Sequence, residues 1–155
     1  MNVIAGVAIA LRKATTPEFR AYAETCLASA RAMAEVFTSA GATLITGGTE
    51  NHLIVIDTVR SFGLDGREAE RVLDDIGLAT NKQVIPDDPN PPMRPSGVRL
   101  GTPACTSRGM GVMDMRLVAE WMGEALRGAR DAGVIARLRE QVRQLALRFP
   151  VPGIS

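Results

Sequence analysis

Between residues 16 and 41, Tyr22, Cys26, Ala30, Met33 and Phe37 recur every three or four positions, with charged and small residues between them. That is the helical period. Its ends are marked by Thr16 as N-cap, Pro17 at the first helical position, Glu18 in the first turn and Gly41 as the stop. The pattern then changes. "ATLITGGTENHLIVIDT" sets two short β-branched runs around Gly47 and Gly48 and predicts two adjacent antiparallel strands. In "DGREAERVLDDIG" the helical period returns: Asp65 and Glu68 have capping-box spacing, Val72, Leu73 and Ile76 form the apolar stripe, and Gly77 ends it.

"NKQVIPDDPNPPMRPSG" holds five of the nine prolines and no period, which predicts a loop lying over the surface or along a cleft. "GVRLGTPACTS" is the last strand candidate, with Pro103 placing its end at an edge or bend. Two further helices follow. Val118, Trp121, Met122, Ala125 and Leu126 lie on one stripe, and Ile135, Leu138, Val142, Leu145 and Leu147 on or near another. A helix, strands, helix, strand, helices order predicts an α+β two-layer domain: a small, mostly antiparallel sheet with helices stacked on one face.

The opening "MNVIAGVAIALRK" is apolar without alternation. It has no basic stretch ahead of it, is too short to span a bilayer and runs into a charged helix, which argues against a signal peptide or membrane anchor. It reads as a helix or strand awaiting a protein surface. The 155 residues suit one domain of ordinary size, with no internal repeat or linker. Eighteen basic and seventeen acidic residues are mixed along the chain, so no face-wide field for nucleic acid or anionic lipid is expected. Two cysteines, Cys26 and Cys105, make no disulfide framework, and the expected compartment is the cytoplasm.

The usual catalytic signatures are missing: no glycine-rich phosphate loop, no metal-ligand cysteine pair, and His52 as the single histidine. One imidazole gives little basis for a hydrolase or a transition-metal site. Beside Asn51 at a strand start, His52 reads first as a turn residue. Arg99 is different. In "SGVRLGTPA", Ser96 to Ala104, it interrupts an apolar run between two glycines, so a buried guanidinium in need of an anion is expected. Its rigid fork matches a carboxylate through two parallel hydrogen bonds, which lysine cannot imitate. An amino-acid carboxylate satisfies it, and so does an internal salt bridge to Asp57, Asp87 or Asp88; the residues alone leave both open. Gly97 and Gly101 favour the ligand by allowing close approach.

"GGTENHL", "GREAERVLDDIGLATNK" and above all "SGVRLGTPACTSRG", in this order, resemble the carboxy-terminal part of the serine hydroxymethyltransferase family, pyridoxal-phosphate enzymes of the aspartate-aminotransferase fold class. The likeness extends from "VIAGVAIALRKA" to "ALRFP". It implies that Arg99 grips the α-carboxylate of serine or glycine, and that Gln83 stands where the family contacts tetrahydrofolate through an asparagine. The family's "PFVTSG" is here "PMRPSG", so Met93, Arg94 and Pro95 depart from it. The family's cofactor lysine, in a "TTTTHK" motif, has no counterpart: Lys13 and Lys82 are the only lysines and lack that context.

The resemblance thus implies a split enzyme. Residues 1–15 pack on a partner carrying the cofactor lysine, and 16–155 form the small domain that completes the active site, in a heterodimer or heterotetramer inactive without that partner. The joint reaction is hydroxymethyl transfer, or retro-aldol Cα–Cβ chemistry, with pyridoxal 5'-phosphate and tetrahydrofolate. The alternatives are a non-catalytic truncated module that stabilises or regulates a full-length relative, and a split aldolase or transaldolase that uses no folate.

Overall fold

The computed structural model describes residues 1–153. Helix α1 (Asn2–Ala14) precedes α2 (Pro17–Ser39), a short 3-10 turn (Ile45–Gly47) and strand β1 (Leu53–Asp57). Then come α3 (Thr58–Phe62), α4 (Gly66–Asp75), β2 (Asn81–Gln83), β3 (Gly97–Gly101), α5 (Pro103–Ser107), α6 (Val112–Arg127) and α7 (Ala132–Arg148). The sheet runs β1-β3-β2, antiparallel throughout. The expected α+β class, with helices against a small antiparallel sheet, is what forms.

The predicted caps are present. Thr16 Oγ1 accepts from Phe19 N–H at 3.3 Å, and Pro17 opens α2. Asp65 accepts from Glu68 N–H at 2.9 Å while Glu68 accepts from Asp65 N–H at 3.3 Å, which closes the capping box of α4. Gly77 ends that region at φ +87°, a left-handed value natural to glycine. The core gathers Met33 and Phe37 of α2, Ile54 and Ile56 of β1, Leu73 of α4, Val98 and Leu100 of β3, and the buried stripes of α6 and α7. Leu147 lies outside its stripe and is exposed.

Two expectations change and a third narrows. Of the two runs around Gly47 and Gly48, only the second becomes a strand; Leu44 of the first makes a single bridge to Ile56 before the chain tightens into the 3-10 turn. The proline-rich stretch is not loop from its start, because Asn81, Lys82 and Gln83 pair with Arg99, Val98 and Gly97 before the first proline can interrupt the ladder. Of the two positions expected for the strand end at Pro103, the bend is what forms: the chain bends at Thr102 and Pro103 opens α5, while β3 is the central strand and not an edge.

Helix α1 has the helical form that its sequence allowed but no core of its own. It contains no buried residue, and Val3, Ile4, Val7, Ile9 and Leu11 are all exposed.

Candidate functional site

Strand alternation decides where Arg99 points. Val98 and Leu100 face the core, so Gly97, Arg99 and Gly101 face the other side of the sheet. Arg99 is therefore exposed, not buried as its apolar neighbours suggested. The neighbours were a strand's inner residues, and the arginine takes an outer position. Register sets Val55 of β1 on one side of it and Asn81 of β2 on the other. Gln83 stands on the same face, opposite Gly97. The structure thus brings the two anticipated residues, Arg99 and Gln83, to one open sheet face, and adds Asn81, which the sequence reading missed.

None of the three candidate aspartates neutralises Arg99. Asp57 caps α3 by accepting from Arg60 N–H at 2.9 Å. Asp88 is consumed by the loop, and Asp87 holds a left-handed backbone at φ +52°. Arg99 makes no side-chain hydrogen bond or ion pair with any of the described residues. Beside it, the turn Ile45–Gly47 and residues through Asn51 border a cleft of about 680 Å3 whose floor includes Leu53 and Val55. Thr46 is held there at φ 65°, a strained value for a β-branched residue.

The loop between β2 and β3 is fastened by one carboxylate. Asp88 accepts from Ile85 N–H at 3.2 Å, Asn90 N–H at 3.0 Å, Ser96 N–H at 2.9 Å and Ser96 Oγ at 2.6 Å. Desolvation raises its pKa, but the bonds from Ser96, Asn90 and Ile85 outweigh that and bring it down to about 2. The Ser96 carbonyl then accepts from Thr58 N–H at 2.9 Å and Thr58 Oγ1 at 3.0 Å, tying the start of β3 to α3. Arg94, one of the departures from the family pattern, reaches Asp65 at 2.6 Å and Glu68 at 3.3 Å, so it clamps the loop to the cap of α4. Asp88 and Asn90, two residues apart, are types that favour local turns, a signal that could have found this fastening; the reach of Arg94 across to α4 was not legible.

Gly97 does allow a close approach, but to protein rather than ligand. A Cβ there would lie 2.6 Å from Ile85 Cγ2 and 2.9 Å from the Gln83 carbonyl oxygen. His52 is exposed, and the turn role falls to Asn51, whose Oδ1 accepts from Leu53 N–H at 2.7 Å. No group of three or more metal-ligating side chains occurs among the described residues, and no helix among them is long and apolar enough to cross a membrane. Lys82 Nζ is paired with Glu70 at 3.2 Å, Lys13 lies on the exposed α1, and neither lines the cleft beside Arg99.

A family model described as serine hydroxymethyltransferase matches residues 1–122. Among curated relatives, the serine hydroxymethyltransferase of Myxococcus xanthus (strain DK1622) is 48% identical over 97% of this chain. Serine hydroxymethyltransferase 1 of Cupriavidus pinatubonensis (strain JMP 134 / LMG 1197) is 43% identical over 99% of it, and the enzyme of Methylococcus capsulatus (strain ATCC 33009 / NCIMB 11132 / Bath) 44% over 97%. The chain spans 36%, 37% and 36% of the length of these three relatives. A match that takes in both the cleft-bordering turn and the strand of Arg99 places this chain in the serine hydroxymethyltransferase family.

Proposed function

We propose that this chain supplies the carboxylate-binding part of a pyridoxal-phosphate-dependent hydroxymethyltransferase whose cofactor lysine is carried by a partner polypeptide. One observation carries the reading: Arg99, within "SGVRLGTPA", stands on the open sheet face with no anion among the described residues to neutralise it. A guanidinium so placed donates two parallel hydrogen bonds to an amino-acid carboxylate. Holding that group fixes the rotation of the substrate about its α-carbon, and so selects which bond there is presented for reaction. Pyridoxal phosphate supplies the electron sink that making or breaking a Cα–Cβ bond requires. Gln83, on the same face, offers its side-chain amide to the pterin of tetrahydrofolate. That amide presently donates to the Val84 carbonyl at 3.0 Å, a local bond that a ligand can replace.

The apolar, wholly exposed α1 is the surface expected to dock on the partner. Co-expression with a polypeptide bearing the family's "TTTTHK" lysine should give a yellow complex whose absorption responds to glycine and serine. A colourless, non-associating mixture would instead favour a non-catalytic module. Turnover of serine that is indifferent to tetrahydrofolate would transfer the reading to an aldolase or transaldolase.

A further inference from the structure

On the covered side of the sheet, away from Arg99, a cavity of about 280 Å3 lies between β3, α2, α6 and α7. Its walls include Met33, Leu100, Met110, Met115, Met122 and Val142, all buried. Folded interiors leave few voids much larger than a water molecule, and apolar voids accept apolar guests. Methionine walls suit such a role because the thioether chain adapts to irregular shapes. The mouth is flanked by small exposed residues, Ala79, Gly101 and Ala104, so the cavity communicates with solvent.

The polar groups around it define the guest. Thr80 lines the cavity, and its Oγ1 is one of two buried side-chain oxygens without a hydrogen-bond partner among the described residues. A guest that carries a hydrogen-bonding group can pair with it. Arg108 at the rim is already engaged, with Nε donating to the Phe149 carbonyl at 2.7 Å and Nη2 to the Ala146 carbonyl at 2.8 Å. Burial pushes the Cys105 thiol up, against the pull of Arg108. Arg108 keeps its charge at the rim, but an ionised guest would lose its hydration against the buried apolar walls.

We infer that this cavity is a binding site for a neutral, apolar molecule of roughly ten heavy atoms that carries one hydrogen-bonding group for Thr80. The inference does not depend on the proposed hydroxymethyltransferase role, since the cavity lies on the opposite face of the sheet from Arg99.

Titrating the 15N-labelled full chain with indole, and separately with benzene, tests it. Both probes should shift amide signals saturably around Thr80, Gly101 and Ala104, and raise the melting temperature with concentration. Ala104→Trp, an exposed position at the mouth, should abolish both effects without disturbing the fold. Thr80→Val should weaken indole about fivefold and leave benzene unchanged. Non-saturating or scattered shifts with the parent chain overturn the inference, as does saturable binding that survives Ala104→Trp. Unchanged indole affinity in Thr80→Val overturns the assignment of the hydroxyl.

Discussion

The same three strands make two very different surfaces. On one, Ile54, Ile56, Val98 and Leu100 are no more than 5% exposed and pack into the helical layer. On the other, the intervening residues Arg99 and Asn81 are exposed, and Val55 and Gln83 half-buried. A two-residue period therefore divides the work: even positions hold the domain together, and odd positions are left to meet something else. In a sheet this small the two roles stand one residue apart, so substitutions one position apart should have separable consequences. The largest expected contrast is in stability. Ile56→Ala removes a fully buried side chain and should cost about 3 kcal/mol, whereas Val55→Ala on the open face should cost less than about 1 kcal/mol. Urea denaturation of the two variants checks this, and equal losses would erase the distinction between the faces.

The next contrast sets activity against stability on β3 itself. Arg99→Lys keeps the charge and loses the fork, so in the assembled enzyme amino-acid turnover should fall about a hundredfold or more. The melting temperature of the chain should stay put, because the Arg99 side chain makes no hydrogen bond or ion pair with any of the described residues. Leu100→Ala, the adjacent residue, should do the reverse, with a loss of about 2–5 kcal/mol of stability. A normal kcat/KM for Arg99→Lys would remove this guanidinium from the substrate site.

Much of this was legible in the sequence, and the failures share a cause. Helix α4 was readable because its signals are local: a capping box at Asp65 and Glu68, a stripe, and a glycine stop. The open exposure of Arg99 was not, since an apolar neighbourhood in sequence does not say which way an odd residue of a strand faces until register is known. Asn81 joined the site for the same reason: three residues ahead of a proline-rich loop became an edge strand through pairing 18 positions away, as the partnership of Asn81 with Arg99 shows. Loop architecture was half visible. Asp88 and Asn90 signal a turn, but that Asp88 also seizes Ser96 follows from the loop's closure alone.

That closure links the faces, and acid should loosen it. Asp88 has its folded-state value lowered to about 2, against about 3.9 for a free aspartate. A lowered carboxyl contributes stability that is complete above the unfolded value and lost as pH falls through the folded one. The expected loss therefore lies between about pH 4 and pH 2, and Asp88→Asn should abolish that part of the profile. At neutral pH the same substitution should cost about 2 kcal/mol, since it weakens hydrogen bonds to a charged acceptor. Amide exchange at Ile85, Asn90 and Ser96 should quicken in step, while that of Ile54 and Ile56 should follow only the global change. Unaltered exchange at Ser96 would mean the carboxylate does not hold the loop.

The smallest effect on the fold belongs to α1, and its smallness is the point. Helices α1 and α2 are consecutive and both apolar on a stripe, yet α2 buries seven residues, from Cys26 to Phe37, and α1 buries none. Helical period marks α2, whereas the opening segment reads as helix or strand in sequence; what covers the stripe is a separate question, settled for α2 by α6 and the sheet. Val7→Ser, at an exposed position, should change the stability of the chain by less than about 0.5 kcal/mol. Met33→Ser on α2, at a buried position, should be severely destabilising because it both opens a void and buries a hydroxyl. If α1 docks on a cofactor-bearing partner, Val7→Ser should instead weaken that association, read by co-purification or by the dissociation constant of the complex. A Val7→Ser chain that unfolds more readily would show that α1 is held by its own domain, and an unchanged affinity for the partner would remove this helix from the interface.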